Sequence, residues 1–109
     1  MSEDIRRVVA FAASGRINKT FGSRIYSYAR SEFANMSERF DYASGSHLGG
    51  MSRGNIFHYG KGCHIKLDVE GQSFKAFDYG TGTHFAGKIQ GRRVQVFDYA
   101  EGKHFTYQI

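Results

Sequence analysis

Phe97-Asp98-Tyr99-Ala100-Glu101-Gly102-Lys103-His104-Phe105 decides how this chain is read, because the same arrangement occurs four times. The other copies are Phe40-Asp41-Tyr42-Ala43-Ser44-Gly45-Ser46-His47-Leu48, Phe57-His58-Tyr59-Gly60-Lys61-Gly62-Cys63-His64-Ile65 and Phe77-Asp78-Tyr79-Gly80-Thr81-Gly82-Thr83-His84-Phe85. Their starts, at 40, 57, 77 and 97, lie 17, 20 and 20 residues apart. A period near twenty marks a repeated supersecondary unit. Period-two patterning with regular glycine turns predicts strands at 39–43, 46–50, 54–59, 63–69, 73–79, 83–89, 93–99 and 103–108, joined as an antiparallel meander. Inner turns fall at Ser44-Gly45, Lys61-Gly62, Thr81-Gly82 and Glu101-Gly102. Outer turns fall at Arg53-Gly54, Glu70-Gly71 and Gln90-Gly91, glycine again taking the place that needs positive φ.

A three-residue inner loop such as Gly80-Thr81-Gly82 sets Asp78 against His84 and Phe77 against Phe85. It likewise sets Asp98 against His104, Asp41 against His47 and His58 against His64. Opposed side chains stand about 4.5–5.5 Å apart at Cβ, within reach of an Asp–His hydrogen bond. With parity-preserving outer turns, one face collects Phe57, Ile65, Leu67, Phe77, Phe85, Ile89, Phe97, Phe105, Tyr107 and Ile109 as a core. The other carries the Asp/His rungs with Phe74, Ala76, Ala86, Val94 and Val96. A two-residue outer turn flips the faces in alternate repeats, so the register stays open. So does closure: the second face can be covered by a helix, by curling of the sheet towards a barrel or by a second copy of the chain.

Upstream, Ser2 reads as an N-cap before Glu3 and Asp4, and Ile5, Val8, Val9 and Ala12 follow helical spacing. An amphipathic helix is expected over 3–14, stopped by Gly15. Ile25, Ala29, Phe33, Met36 and Phe40 predict a second helix from about Ser23 to Met36. Arg24–Ala29 reads equally as a strand, with Tyr26-Ser27-Tyr28-Ala29 echoing the motif as a degenerate fifth copy; helix is the reading adopted. The expected fold is α+β: one domain over 1–109, with an N-terminal helical segment (1–37) and a sheet of seven or eight short strands built from four hairpin repeats (38–109).

Composition narrows the partners. The 109 residues include ten Phe and seven Tyr, and 15 Lys/Arg against 10 Asp/Glu give a formal charge of +5. That excess favours anionic partners, whether nucleic acid, acidic polysaccharide or acidic protein. The single cysteine, Cys63, allows no internal disulfide. The N-terminus lacks the order of a secretory signal, and no stretch approaches the ~20 apolar residues of a membrane helix. A soluble cytoplasmic protein is expected, without membrane contact.

The recurring polar letters have three readings. Asp–His pairs beside tight turns can lock the register of the hairpins and need no ligand. His58, His64, His84 and His104 suit a metal chemically, but a ladder spreads them instead of gathering them at one point. Cys63 and His64 are adjacent in a strand and so point to opposite faces, which disfavours a nucleophile–base pair. No phosphate loop or serine elbow occurs. No cofactor, metal or catalytic residue is therefore assigned.

Binding is the remaining class. Tyr59, Tyr79 and Tyr99 precede inner turns and form a row; with His58, His64, His84, His104, Asp78, Asp98 and Lys103 they are the candidate binding residues. Phenol and imidazole rings beside cations stack on sugars or bases. The expectation is a non-enzymatic module for an anionic polymer or protein partner. Direct nucleic-acid binding and a self-assembling structural role, as a homo-oligomer, are the alternatives. In outline the units resemble the cell-wall- and glucan-binding repeats of bacterial surface proteins and the Tyr-Asp repeats of large bacterial toxins. They differ in lacking Trp and in placing Gly82 and Gly102 four residues after their Asp. No binding residue is carried over from either.

Overall fold

The computed structural model describes residues 3–109; the Ser2 cap lies outside the described residues. Helix α1 spans Glu3–Asn18. Ile5, Val8, Val9, Ala10, Phe11, Ala12 and Ala13 are all buried, so over Val8–Ala13 the helix is apolar around its whole circumference. Such a helix belongs inside a molecule. At ~1.5 Å per residue it is about 24 Å long, and it threads a body of 30 × 27 × 27 Å. It packs against β1 (Arg24–Ser27), β6 (Cys63–Glu70), β8 (Thr83–Gln90) and β9 (Arg93–Asp98). Gly15 does not stop the helix. It lies within it because the Phe21 ring occupies the space a Cβ would need. The turn that ends α1 follows at Lys19, with φ 59°.

The other strands are β2 (Glu32–Asn35), β3 (Phe40–Asp41), β4 (Ser46–Gly49), β5 (Asn55–His58), β7 (Ser73–Asp78) and β10 (Lys103–Gln108). They make one antiparallel sheet in the order β2-β1-β10-β9-β8-β7-β6-β5-β4-β3. Its two end strands meet through a Met36–Asp41 bridge and the Tyr42 N–H donating to Asn35 O at 3.1 Å. The sheet thus nearly closes into a barrel around α1. Ten strands stand among the described residues, more than the expected seven or eight.

Two further expectations are overturned. The second helix is absent, and with it the reading of 1–37 as helical: β1 and β2 occupy 24–35 as a hairpin, pairing Tyr26 with Phe33 and Ser27 with Glu32. The apolar spacing that suggested helix is satisfied differently, with Ile25 and Met36 buried and Phe33 exposed. Its turn residue Ser31 takes φ 53°, where the inner turns of the copies use Gly45, Gly62, Gly82 and Gly102 at 62–70°. Tyr26-Ser27-Tyr28-Ala29 therefore occupies a hairpin like those of the motif.

The register also differs. The inner loops hold four residues, not three: Asp98 pairs with Lys103, Phe97 with His104 and Val96 with Phe105. The same offset pairs Phe77 with His84, Phe57 with His64 and Phe40 with His47. One residue of slip exchanges the faces. The Asp/His rungs do not form, and Phe57, Phe77 and Phe97 lie half-exposed outside instead of in the core. Asp78 and Asp98 turn inward with Phe74, Ala76, Val94 and Val96, joining Ile65, Leu67, Phe85, Ile89, Phe105 and Tyr107. Outer turns Gly71-Gln72 and Gly91-Arg92 hold two residues between Glu70–Ser73 and Gln90–Arg93 pairs. Because these inner and outer loops are both even-numbered, the faces do not alternate between the copies starting at 57, 77 and 97.

Candidate binding face

Each motif divides by side-chain parity, and its inward letter serves the turn. Asp98 Oδ1 accepts the Ala100 amide at 2.9 Å, Asp78 Oδ1 the Gly80 amide at 2.9 Å and Asp41 Oδ1 the Ala43 amide at 3.1 Å. A short acceptor two residues before a backbone N–H favours this turn locally. The second oxygen reaches further: Asp98 Oδ2 takes Arg6 at 3.0 Å, and Asp41 Oδ2 takes Arg7 at 2.8 Å. Arg6 and Arg7, which read as the polar side of an amphipathic helix, are buried and tie α1 to two hairpins. Arg7 also holds Asp4 at 2.7 Å. Burial would raise the Asp4 carboxyl, but the Arg7 contact outweighs it and holds the group below its ordinary value.

In the second copy His58 replaces the acid and does the same work, its Nδ1 accepting the Lys61 amide at 3.1 Å. Burial pushes its pKa down, against the pull of Asp41, and its Nε2 is buried with no hydrogen-bond partner. Cys63 faces inward while His64 faces out. Burial, with Asp78 nearby, lifts the Cys63 thiol to about 11, far from a reactive thiolate. Among the described residues no group of three or more His, Cys, Asp or Glu is placed to hold a metal ion.

The outward letters make a second layer. Phe97 contacts Tyr99 and His104 with ring centroids 4.9 and 4.8 Å away. Phe77 has Tyr79 at 4.8 and His84 at 4.5 Å, and Phe57 has Tyr59 at 4.6 and His64 at 4.7 Å. Phe40 repeats this with Tyr42 and His47, and Tyr26 with Tyr28 and Phe33. These edge-on contacts hold each Tyr against its own hairpin. Tyr42, Tyr59, Tyr79 and Tyr99 are 62, 60, 61 and 60% exposed, so the four rings are presented alike. Each next Tyr lies beside the preceding His: the Tyr79 amide donates to His64 O at 3.0 Å and the Tyr99 amide to His84 O at 3.1 Å. Two strands separate successive Tyr, a step of about 9.5 Å around the barrel.

Of the candidate binding residues, the structure gathers Tyr59, Tyr79, Tyr99, His64, His84 and His104 on this outer face. It does not bring His58, Asp78 and Asp98 there; all three are buried within the turns. Lys103 pairs with Asp98 across the hairpin and is exposed, its ammonium 5.5 Å from the centroid of the inward Phe105 ring. Cations that sequence reading passed over line the face instead. Lys66 and Lys75 border a depression of about 490 Å³ with Phe77, Tyr79 and His84. Lys75 and Lys88 border another of about 490 Å³ with Phe97 and His104. A third, of about 570 Å³, holds Arg39, Arg53, His47 and Tyr59. Strand alternation from the true register would have found the lysines; the arginines carry no such signal.

No family model, curated protein or solved structure matches this chain. The outline likeness to bacterial surface and toxin repeats therefore carries no family assignment. No helix among the described residues is long and apolar enough to cross a membrane.

Proposed function

We propose that the chain is a non-enzymatic binding module whose outer face recognises an anionic polymer. The observation that carries this reading is the set of Tyr rings, equally exposed and each braced by a Phe–His contact, with lysines and arginines between them. The fold does not need those rings exposed, since α1 and the inward residues already fill the barrel. Exposed large aromatics that recur in register mark an interaction surface. Cations alongside supply attraction over distance, and the rings supply contact area at low entropic cost.

Retention on immobilised heparin, a sulfated polymer, tests this directly. The protein is expected to bind at low salt and to elute earlier when Tyr59, Tyr79 and Tyr99 are replaced together by Ala. Passage of the wild type straight through the column at low salt would remove the reading.

A further inference from the structure

The motif is interrupted once, between the copies starting at 40 and 57, which are 17 residues apart where the later ones are 20. The missing residues shorten β4 and β5 to four residues each, against eight in β6 and β8. Their pairing ends at Gly49–Phe57, and the chain leaves the sheet through Gly50, at φ 67°. The Arg53 amide closes this turn on Gly50 O at 3.0 Å. Three residues before the motif Phe stand Phe74 and Val94 in the later copies, both buried, but Gly54 here. Met51 swings in from the loop and is buried in the core. One residue before the Phe, the inward Ile56, Ala76 and Val96 are matched by an exposed Arg39.

The interruption therefore does more than shorten strands: it sets two arginines around one depression. Arg39, Arg53, His47, Ser52 and Tyr59 line the depression of about 570 Å³, with Glu38 its one acid. That volume suits a small organic group. Neither arginine joins an ion pair among the described residues. The forked donors of arginine match the oxygens of a phosphate. Tyr59 lies over Gly49, its ring 3.4 Å from where a Cβ would stand, so the glycine leaves the ring its seat.

We infer that this depression anchors one nucleotide unit, Arg39 and Arg53 holding the phosphate and Tyr59 stacking on the base. The occupant is a single-stranded nucleic acid, because a ring platform needs a base face that a duplex keeps stacked. Tyr79 and Tyr99 continue the platform around the barrel with Lys66, Lys75 and Lys88 alongside. The assignment rests on the outer face being a binding face.

Fluorescence anisotropy of a labelled single-stranded RNA, titrated at several salt concentrations, tests it. For R39Q/R53Q the expected result is about tenfold or greater loss of affinity, with the log–log salt slope shallower by about 0.7, since the two arginines share one phosphate and each phosphate neutralised on a single strand contributes ~0.7. Y59A is expected to weaken binding by about tenfold with the slope unchanged. All three positions are exposed, and unchanged circular dichroism would show the variants folded. K75Q/K88Q serves as the comparison: if it costs as much as R39Q/R53Q, the depression is not the anchor and the inference is overturned. Competition by a 5′-mononucleotide that R39Q/R53Q abolishes would support the site and show that a free nucleotide suffices. If RNA does not bind while heparin does, nucleotide recognition fails and the binding-face reading stands. If neither binds, both fail.

Discussion

The inward and outward halves of one nine-residue motif make opposite use of similar chemistry. Asp98 and Asp78 face the interior, where each of their carboxylate oxygens has a partner: a turn amide for both, Arg6 for the first and the Thr81 hydroxyl for the second. Tyr99, His104, Tyr79 and His84 face solvent and touch mainly the rings of their own and the neighbouring hairpin. A recurring polar letter is therefore not by itself a site. The buried recurrences build the turn and bolt it to the helix, and the exposed ones are free to meet something else.

The sharpest way to break this contrast is to cut the bolt. Asp98→Ala removes the shorter of two carboxylate contacts on the buried Arg6 guanidinium, leaving Glu3 at 3.4 Å, and frees the Ala100 amide, so a loss of about 3 kcal/mol is expected in urea unfolding. Asp78→Ala removes turn contacts and a carboxylate beside the Cys63 thiol but no partner of a buried guanidinium, and should cost about 1–2 kcal/mol. Equal costs would show that Arg6 does not clamp the barrel. Against a total stability typically of ~5–15 kcal/mol, the first change is severe. The core rings give a parallel pair. Phe85→Ala, fully buried, should cost about 3–5 kcal/mol. Phe97→Ala, on the outer face, should cost about 1 kcal/mol. The reverse ranking would restore the three-residue loop and put Phe97 back inside.

That pair shows how much was legible from residues alone. The motif spacing predicts an antiparallel meander, and strands β5 to β10 stand close to where it puts them; the apolar spacing upstream predicts a helix, which is there but runs on past Gly15 to Asn18. It cannot count the residues in the inner loop, because Gly82 can end a loop of three or of four, and one residue decides which face Asp78 and His84 share. The hairpin at 24–35 was hidden for another reason. Ser27 and Ser31 stand where the copies have Asp or His and Gly, and Ile25, Phe33 and Met36 also satisfy helical spacing. The arginine depression was hidden most deeply, since Arg39 and Arg53 border it only because the strands stop short at Gly49. Its one trace in the sequence is the interval of 17.

Smaller effects sharpen the contrast further. His58 is the histidine among the inward turn residues of the four copies, and burial depresses its folded pKa below the ordinary 6.5. The folded state thus binds fewer protons than the unfolded chain, and stability is complete above about pH 6.5 and falls as the pH drops towards the folded value. In thermal melts from pH 7.5 to 5.5, His58→Asn should lose less than the wild type. Parallel declines would mean that the buried imidazole does not set the acid response. The exposed His104→Ala should move the melting temperature by no more than a few degrees, and unfolding of that variant would make the outer imidazoles structural.

The most direct measurement takes both halves at once: melting temperature and heparin affinity on a single protein in which Tyr59, Tyr79 and Tyr99 are all Ala. With outward rings that bind and do not fold, melting should stay within a few degrees of the wild type while affinity falls by at least about tenfold. A collapsed melting temperature with undiminished affinity per folded molecule would contradict it and make the Tyr row part of the scaffold.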